Sequence, residues 1–123
     1  MSKNITVLKI CYFLFFFFHL SFTTNLFSSS ILEEVREGNK IIWIRHALAP
    51  GGGDPSGFKI GDCKTQRNLN KVGIEQSKRI GKIFKDNKIF IDIVLSSEWC
   101  RCKDTAYYAF GKFKEFSALN STF

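Results

Sequence analysis

The sequence predicts an α/β fold in which a parallel sheet carries flanking helices. Three observations point to it. Two apolar runs, residues 41–44 and 89–95, are nearly continuous, as in strands covered on both faces. A stretch with helical periodicity lies between them. A second helical stretch follows the second run, so strand, helix, strand and helix alternate. That order is the βαβ pattern of a parallel sheet with right-handed crossovers.

The elements follow in order. Residues 1–30 read as a signal peptide or an N-terminal membrane anchor. Lys3 and Lys9 precede "ICYFLFFFFHLSF", and polar "TTN" and "SSS" follow. A spanning helix needs about 20 apolar residues. Residues 5–22 fall short and include Lys9 and His19, so length favours export over a permanent anchor. The expected location is periplasmic or secreted. If the segment is retained, it associates with a membrane through residues 5–22 and the protein faces outside the cytoplasm. The folded part is then residues 31–123. "ILEEVREGNK" has helical character that Gly38 stops. "KIIWIRHA" is the first strand. "APGGGDPSGFKIGDCKTQR" is a long loop dense in glycine and proline.

Asn70 is a good N-cap for the next helix, and Leu69 before it can staple onto Ile74. Leu69, Val72, Gly73, Gln76, Ile80, Ile83 and Phe84 share one predicted face, on or beside which Gly73 and Gly81 allow close approach to a sheet. Asp86 and Asn87 end the helix. "IFIDIVLSS" is the second strand. Ser96 or Ser97 caps another helix with Glu98 in its first turn, and Trp99, Cys102, Ala106 and Phe110 on one face. Gly111 stops it. "KFKEFSAL" is a candidate third strand. Ligands bind such sheets at the carboxyl ends of the strands. Arg45 and His46 stand at one such end; Ser96, Ser97 and Arg101 follow another.

Charge and cysteines narrow the chemistry. Eighteen Lys and Arg face eleven Asp and Glu; with Lys3 and Lys9 set aside, sixteen still face eleven. The excess suits an anionic ligand or an acidic surface. No feature of the sequence points to nucleic acid. Cys11 belongs to the leader, which leaves Cys63, Cys100 and Cys102. An exported chain can form one disulfide, from Cys63 to Cys100 or Cys102, with one thiol left over. No C-x-x-C spacing exists for a zinc site. The spacing from Gly52 to Gly57 matches the first part of a nucleotide-binding loop. Phe58 and Lys59 then stand where Lys and Ser or Thr are needed, so that reading fails.

His46 can act as a nucleophile. A neutral imidazole nitrogen attacks phosphorus to form a phosphohistidine. The spreading charge on the phosphoryl oxygens must then be held by cations, and the planar fork of arginine binds such oxygens bidentately. Arg45 is adjacent. Arg101 lies in the first turn of the expected helix, whose free N–H groups also favour an anion. Arg67, in "TQRNL", can add a third positive contact.

"IIWIRHA" followed by "SSEWCRCKDTA" resembles the histidine phosphatase superfamily, also called phosphoglycerate mutase-like. The ordered set is Arg45-His46, then Leu69, Gly73 and Gln76, then Ser96-Ser97, Arg101 and Thr105-Ala106. The resemblance spans residues 40–110. It implies a three-layer α/β domain and hydrolysis of a small phosphorylated substrate without metal or cofactor. His46 would be the phosphorylated residue, with Arg45 and Arg101 clamping the phosphoryl group and Arg67 binding substrate.

Three departures qualify the match. Ala47 replaces the usual glycine after the histidine, where a φ > 0 backbone would be costly. "RHALAPG" lacks the second arginine of the acid-phosphatase branch. The family's second histidine and its acidic proton donor have no counterpart, since His46 is the one histidine after residue 30. Glu98 and Asp104 are the acids nearest Arg101 in sequence. Each reads as an ordinary helix charge. The expectation is the N-terminal part of a histidine phosphatase, incomplete at its C-terminus and poorly active alone. The alternative is a non-catalytic, basic exported protein that binds an anionic ligand or partner. A cysteine enzyme built on Cys100 beside Arg101 lacks the H-C-x₅-R loop it would need.

Overall fold

The computed structural model describes residues 26–120, which divide after Asn39 into two compact units. The first unit contains helix α1, Leu26–Arg36. An ion pair joins Glu33 to Arg36 within it, and the chain turns out at Gly38 with a positive φ. The helical lead-in is therefore present. It begins upstream of the expected boundary at residue 30. The rest of the expected leader lies outside the described residues. Among those described, no helix is long and apolar enough to cross a membrane.

The second unit, residues 40–123, carries the α/β elements. Helix α2 spans Lys71–Asp86, and the Asn70 side chain accepts from the Gly73 N–H, as the N-cap reading requires. Strand β1 is Leu95–Ser96, helix α3 is Cys100–Phe110 and strand β2 is Lys114–Glu115. β1 and β2 pair in parallel, Leu95 opposite Lys114 and Ser96 opposite Glu115. β1, α3 and β2 thus form a βαβ unit, and "KFKEFSAL" supplies its second strand. Gly111 ends α3 in the left-handed conformation, its N–H bonded to Tyr107 O.

Three expectations need correction. "KIIWIRHA" joins no ladder among the described residues, and Ile41 and Trp43 are 82% and 77% exposed. Continuous apolarity signals a strand suited to burial on both faces. It does not say which neighbours supply the cover. The sheet among the described residues therefore has two strands.

The inner face of α2 matches the expected one only in part: Ile80, Gly81 and Phe84 are half-buried beside Gly73, but Ser77 joins them and Val72 and Ile83 do not. Gly73 and Ser77 are its buried positions, while Val72 and Ile83 are about half exposed. A Cβ on Gly73 would collide with the Leu48 carbonyl oxygen, and one on Gly81 with the Ala109 carbonyl oxygen. Small residues bring this helix into backbone contact with its neighbours. Gly81 meets helix α3 rather than a sheet. Phe84 and Phe110 meet edge-on at 5.3 Å across the same helix pair.

The start of α3 also differs. Neither serine caps it: Trp99 is the N-cap and makes no side-chain cap bond. Ser96 belongs to β1, and its hydroxyl donates to Ser97 O. Glu98 lies before the helix, bonded through both backbone and carboxylate to Asn120. The inner face of α3 holds Arg101 and Thr105 beside Cys100 and Ala106.

Candidate active site

The backbone after His46 is fixed by side chains from both helices. The Ala47 N–H donates to Thr105 Oγ1 at 2.9 Å, and that hydroxyl donates to Arg101 O, one turn back along α3. The Leu48 N–H donates to Gln76 Oε1, and Leu48 O accepts from the Asn70 N–H. Leu48 O also lies against Gly73. The sequence marks Gln76 and Thr105 only by their spacing, and Gly73 as a point of close approach. Their common task is to seat the loop that follows His46. Ala47 is buried and its φ is not positive, so the glycine usual at that position is not required by backbone conformation.

The long loop is built onto the N-terminus of α3. A disulfide joins Cys63 to Cys100, and Cys102 is the free thiol. This resolves the two pairings open from sequence. The Cys100 N–H donates to Gln66 Oε1, while Gln66 Nε2 donates to Lys59 O. The rings of Phe58 and Trp99 lie 5.0 Å apart. Asp54 closes the arrangement. Both its carboxylate oxygens accept from Arg101 Nη1 at 3.0 Å, and Oδ1 also accepts from the Arg67 N–H at 2.8 Å.

Arg101 is therefore a buried cation, 4% exposed. A buried charge needs a partner. Asp54 supplies one, and the Trp99 ring lies 4.4 Å below the guanidinium carbon. Yet Arg101 Nε is buried with no acceptor. Arg67 shows the same pattern: Nη1 donates to Gly51 O, while Nε is buried without a partner. Buried donors are ordinarily partnered; these two, like Trp99 Nε1 beside Arg101, meet no acceptor among the described residues.

The imidazole completes the cluster. His46 Nδ1 lies 2.7 Å from Ala47 O. A carbonyl oxygen can only accept, so Nδ1 carries the proton and the Nε2 lone pair is free. Partial burial holds the imidazole pKa below its ordinary value, and the charges of Arg101, Arg45 and Arg67 push the same way against the opposing Ala47 bond. All three arginines singled out in the sequence thus act electrostatically on His46.

The other acids stand apart. Glu98 is committed to Asn120. Burial raises the Asp104 carboxyl pKa, with nearby Lys103 acting against it, but Asp104 makes no hydrogen bond to the cluster among the described residues. Among those residues no three His, Cys, Asp or Glu side chains form a metal-ligand group. Sequence reasoning missed Asp54 and Gln66 and placed Trp99 in a helix face. Asp54 was masked by "GGGDPSG", where an acid between glycine and proline reads as turn chemistry.

No family model and no curated protein matches the chain. Among solved structures it is similar to a protein from Agrobacterium tumefaciens described as a candidate phosphohistidine phosphatase, SixA. The identity is 28% and the TM-score 0.44, over 59% of this chain and 46% of that one. The chain spans less than half the length of that protein.

Proposed function

We propose that this cluster receives a phosphoryl group, and that the protein is a phosphate monoester hydrolase working through a phosphohistidine on His46. What carries the reading is the pair of buried, acceptorless Nε–H groups on Arg67 and Arg101, both on arginines whose charge is felt by a neutral imidazole with a free Nε2. Nε2 attacks phosphorus, a P–N bond forms, and the P–O bond to the leaving group breaks. Arg101, Arg67 and Arg45 hold the phosphoryl oxygens as their charge grows. Water later cleaves the P–N bond and restores the imidazole.

The leaving oxygen of an ordinary ester needs a proton, a step worth about 10²–10⁴-fold. Asp54 is ill suited to supply it, being already bound to Arg101. The proposed chemistry is that of a nucleophile held in a three-layer phosphoglycerate mutase-like domain, slow on ordinary esters. The Cys63–Cys100 disulfide supports maturation in an oxidising compartment outside the cytoplasm.

The test is phosphoenzyme trapping with labelled p-nitrophenyl phosphate, whose leaving group needs no acid. The expected product is acid-labile, alkali-stable label on the wild type and none on His46→Ala. Label that persists in His46→Ala defeats the assignment. Phosphate binding equal in wild type and His46→Ala, with neither labelled, favours the non-catalytic anion binder. The pH profile gives a second check. Because the folded-state pKa of His46 is lowered, the reactive neutral form persists as pH falls past 6.5, the ordinary histidine value. The acid limb of labelling is expected below 6.5; a limb above it contradicts the site's electrostatics.

A further inference from the structure

Resting on that reading, we infer that Asp54 is the resident counter-anion of the phosphoryl seat. It fixes Arg101 through Nη1 alone, leaves Nε to the incoming oxyanion, and sets the net charge of the seat to match a phosphoryl dianion.

The geometry is unusual for an arginine–carboxylate pair. The strong arrangement is a two-nitrogen fork, one oxygen on each of two nitrogens. Here both oxygens of Asp54 converge on Nη1. The carboxylate therefore holds the guanidinium without occupying its Nε–H, which stays buried and unpartnered. A ligand oxygen can bind that group while Asp54 stays in place. The Arg67 N–H donates to the same carboxylate, so one acid ties down both arginines that carry an orphaned Nε.

Charge gives the second part. Arg67 and Arg101 carry two positive charges, the exposed Arg45 a third that acts on the imidazole through its field alone, the neutral imidazole none and Asp54 one negative charge. The sum is +2, which a monoester or free phosphate dianion neutralises. Before the ligand arrives, Asp54 offsets the mutual repulsion of the guanidinium groups and the cost of burying Arg101. Asp54 is a positioning residue, since it acts through Arg101 and Arg67 rather than on the phosphoryl group.

Charge and position can be separated by substitution. Asp54→Asn keeps an oxygen acceptor for Arg101 and for the Arg67 N–H but loses the charge. Binding of inorganic phosphate to the full chain, measured by calorimetry at pH 8, is expected to tighten about tenfold in Asp54→Asn. The monoanion dimethyl phosphate is expected to gain only about threefold, because half the charge feels half the change. Asp54→Glu, which keeps the charge, should show no gain. A purely structural role would not scale with ligand charge. Equal or weaker phosphate binding in Asp54→Asn, or equal gains for the two ligands, overturns the inference and leaves the nucleophile assignment standing. Wild-type binding that is absent, or unaltered in Arg101→Met, instead defeats the phosphoryl seat itself and the inference with it. A measurement on the wild type covers a variant that does not fold. The Asp54 carboxyl carbon should keep the NMR shift of an ionised, bound group at phosphate saturation, and a shift to the protonated or solvent-released position refutes the resident role.

Discussion

Two parts of the second unit invert the usual relation between polarity and burial. Around Arg101 the chain is densely held, and much of what is buried is polar: Gln66, Ser77, Ser96, Ser97, Arg101 and Thr105. In residues 41–44 and 90–95 the side chains are mostly apolar, yet Ile41, Trp43, Phe90 and Ile93 are largely exposed. The difference teaches where the order of the site comes from. Apolar burial is roughly proportional to area removed from water, and little large apolar area is removed here. Among the described residues the buried apolar ones are Ala47, Ala49, Ala106, Cys100 and Trp99. Position is instead imposed by directional bonds and one covalent link: Thr105 and Gln76 on the histidine loop, Asp54 and Gln66 on the arginine loop, and the disulfide between the two arginine-bearing segments.

The most severe way to break this contrast is to cut the covalent link. Cys63 and Cys100 are 37 residues apart in sequence, and the intervening chain contains all of α2. Closing a loop of that size constrains the unfolded chain by about 4 kcal/mol in the loop-entropy description. The double variant Cys63→Ser, Cys100→Ser is expected to lose about that much stability in urea unfolding, with phosphate binding weakened in the same variant. The second effect follows because Arg67 lies four residues after Cys63 and Arg101 directly after Cys100. A loss below about 1 kcal/mol would mean that noncovalent packing suffices to hold the site.

How much of this was legible in the sequence depends on the kind of signal. Caps and stops were readable because their chemistry is local: Asn70 and Gly111 behave as their residue types require. Arg45, His46 and Arg101 could be singled out because ligands bind such sheets at the carboxyl ends of strands, and Arg67 through its local charge alone. The inner face of α2 was legible in part, through Gly73 and Gly81. Periodicity weights large apolar residues, whereas this helix approaches its neighbours through Gly73, Ser77 and Gly81. The first strand was misread for a related reason, since apolarity reports suitability for burial and not the presence of a partner. Asp54 was hidden because its role is long-range. It reaches Arg101 across 47 positions, a relation no local window contains.

Gly73 sharpens the contrast by a smaller step. Its Cα side is filled by Leu48 backbone atoms, which cannot swing aside as a flexible side chain could. Gly73→Ala gains helix propensity, about 1 kcal/mol in an open helix. Overpacking costs about 1–3 kcal/mol, and here it acts on the carbonyl whose neighbours seat His46. Net destabilisation is expected in thermal unfolding, with slower phosphoenzyme formation. Gly52, where a Cβ meets nothing, serves as the control: Gly52→Ala is expected to leave labelling unchanged. Stabilisation by Gly73→Ala would show that α2 stands further from the histidine loop than the contact requires.

The smallest expected effect lies on the apolar side of the comparison. Ile41→Ser and Trp43→Ser remove side chains that are largely exposed among the described residues. Surface substitutions away from packed features change stability by about 0.5 kcal/mol or less. That small change is the expected result in chemical denaturation, accompanied by better solubility as exposed apolar area shrinks. Losses of about 2 kcal/mol from either would match burial of a large apolar side chain. They would mean that this run is covered in solution, and the inversion of polarity and burial would then be confined to the site. Near-zero losses from both would leave the seat's polar bonds and its disulfide as the main source of order in the unit.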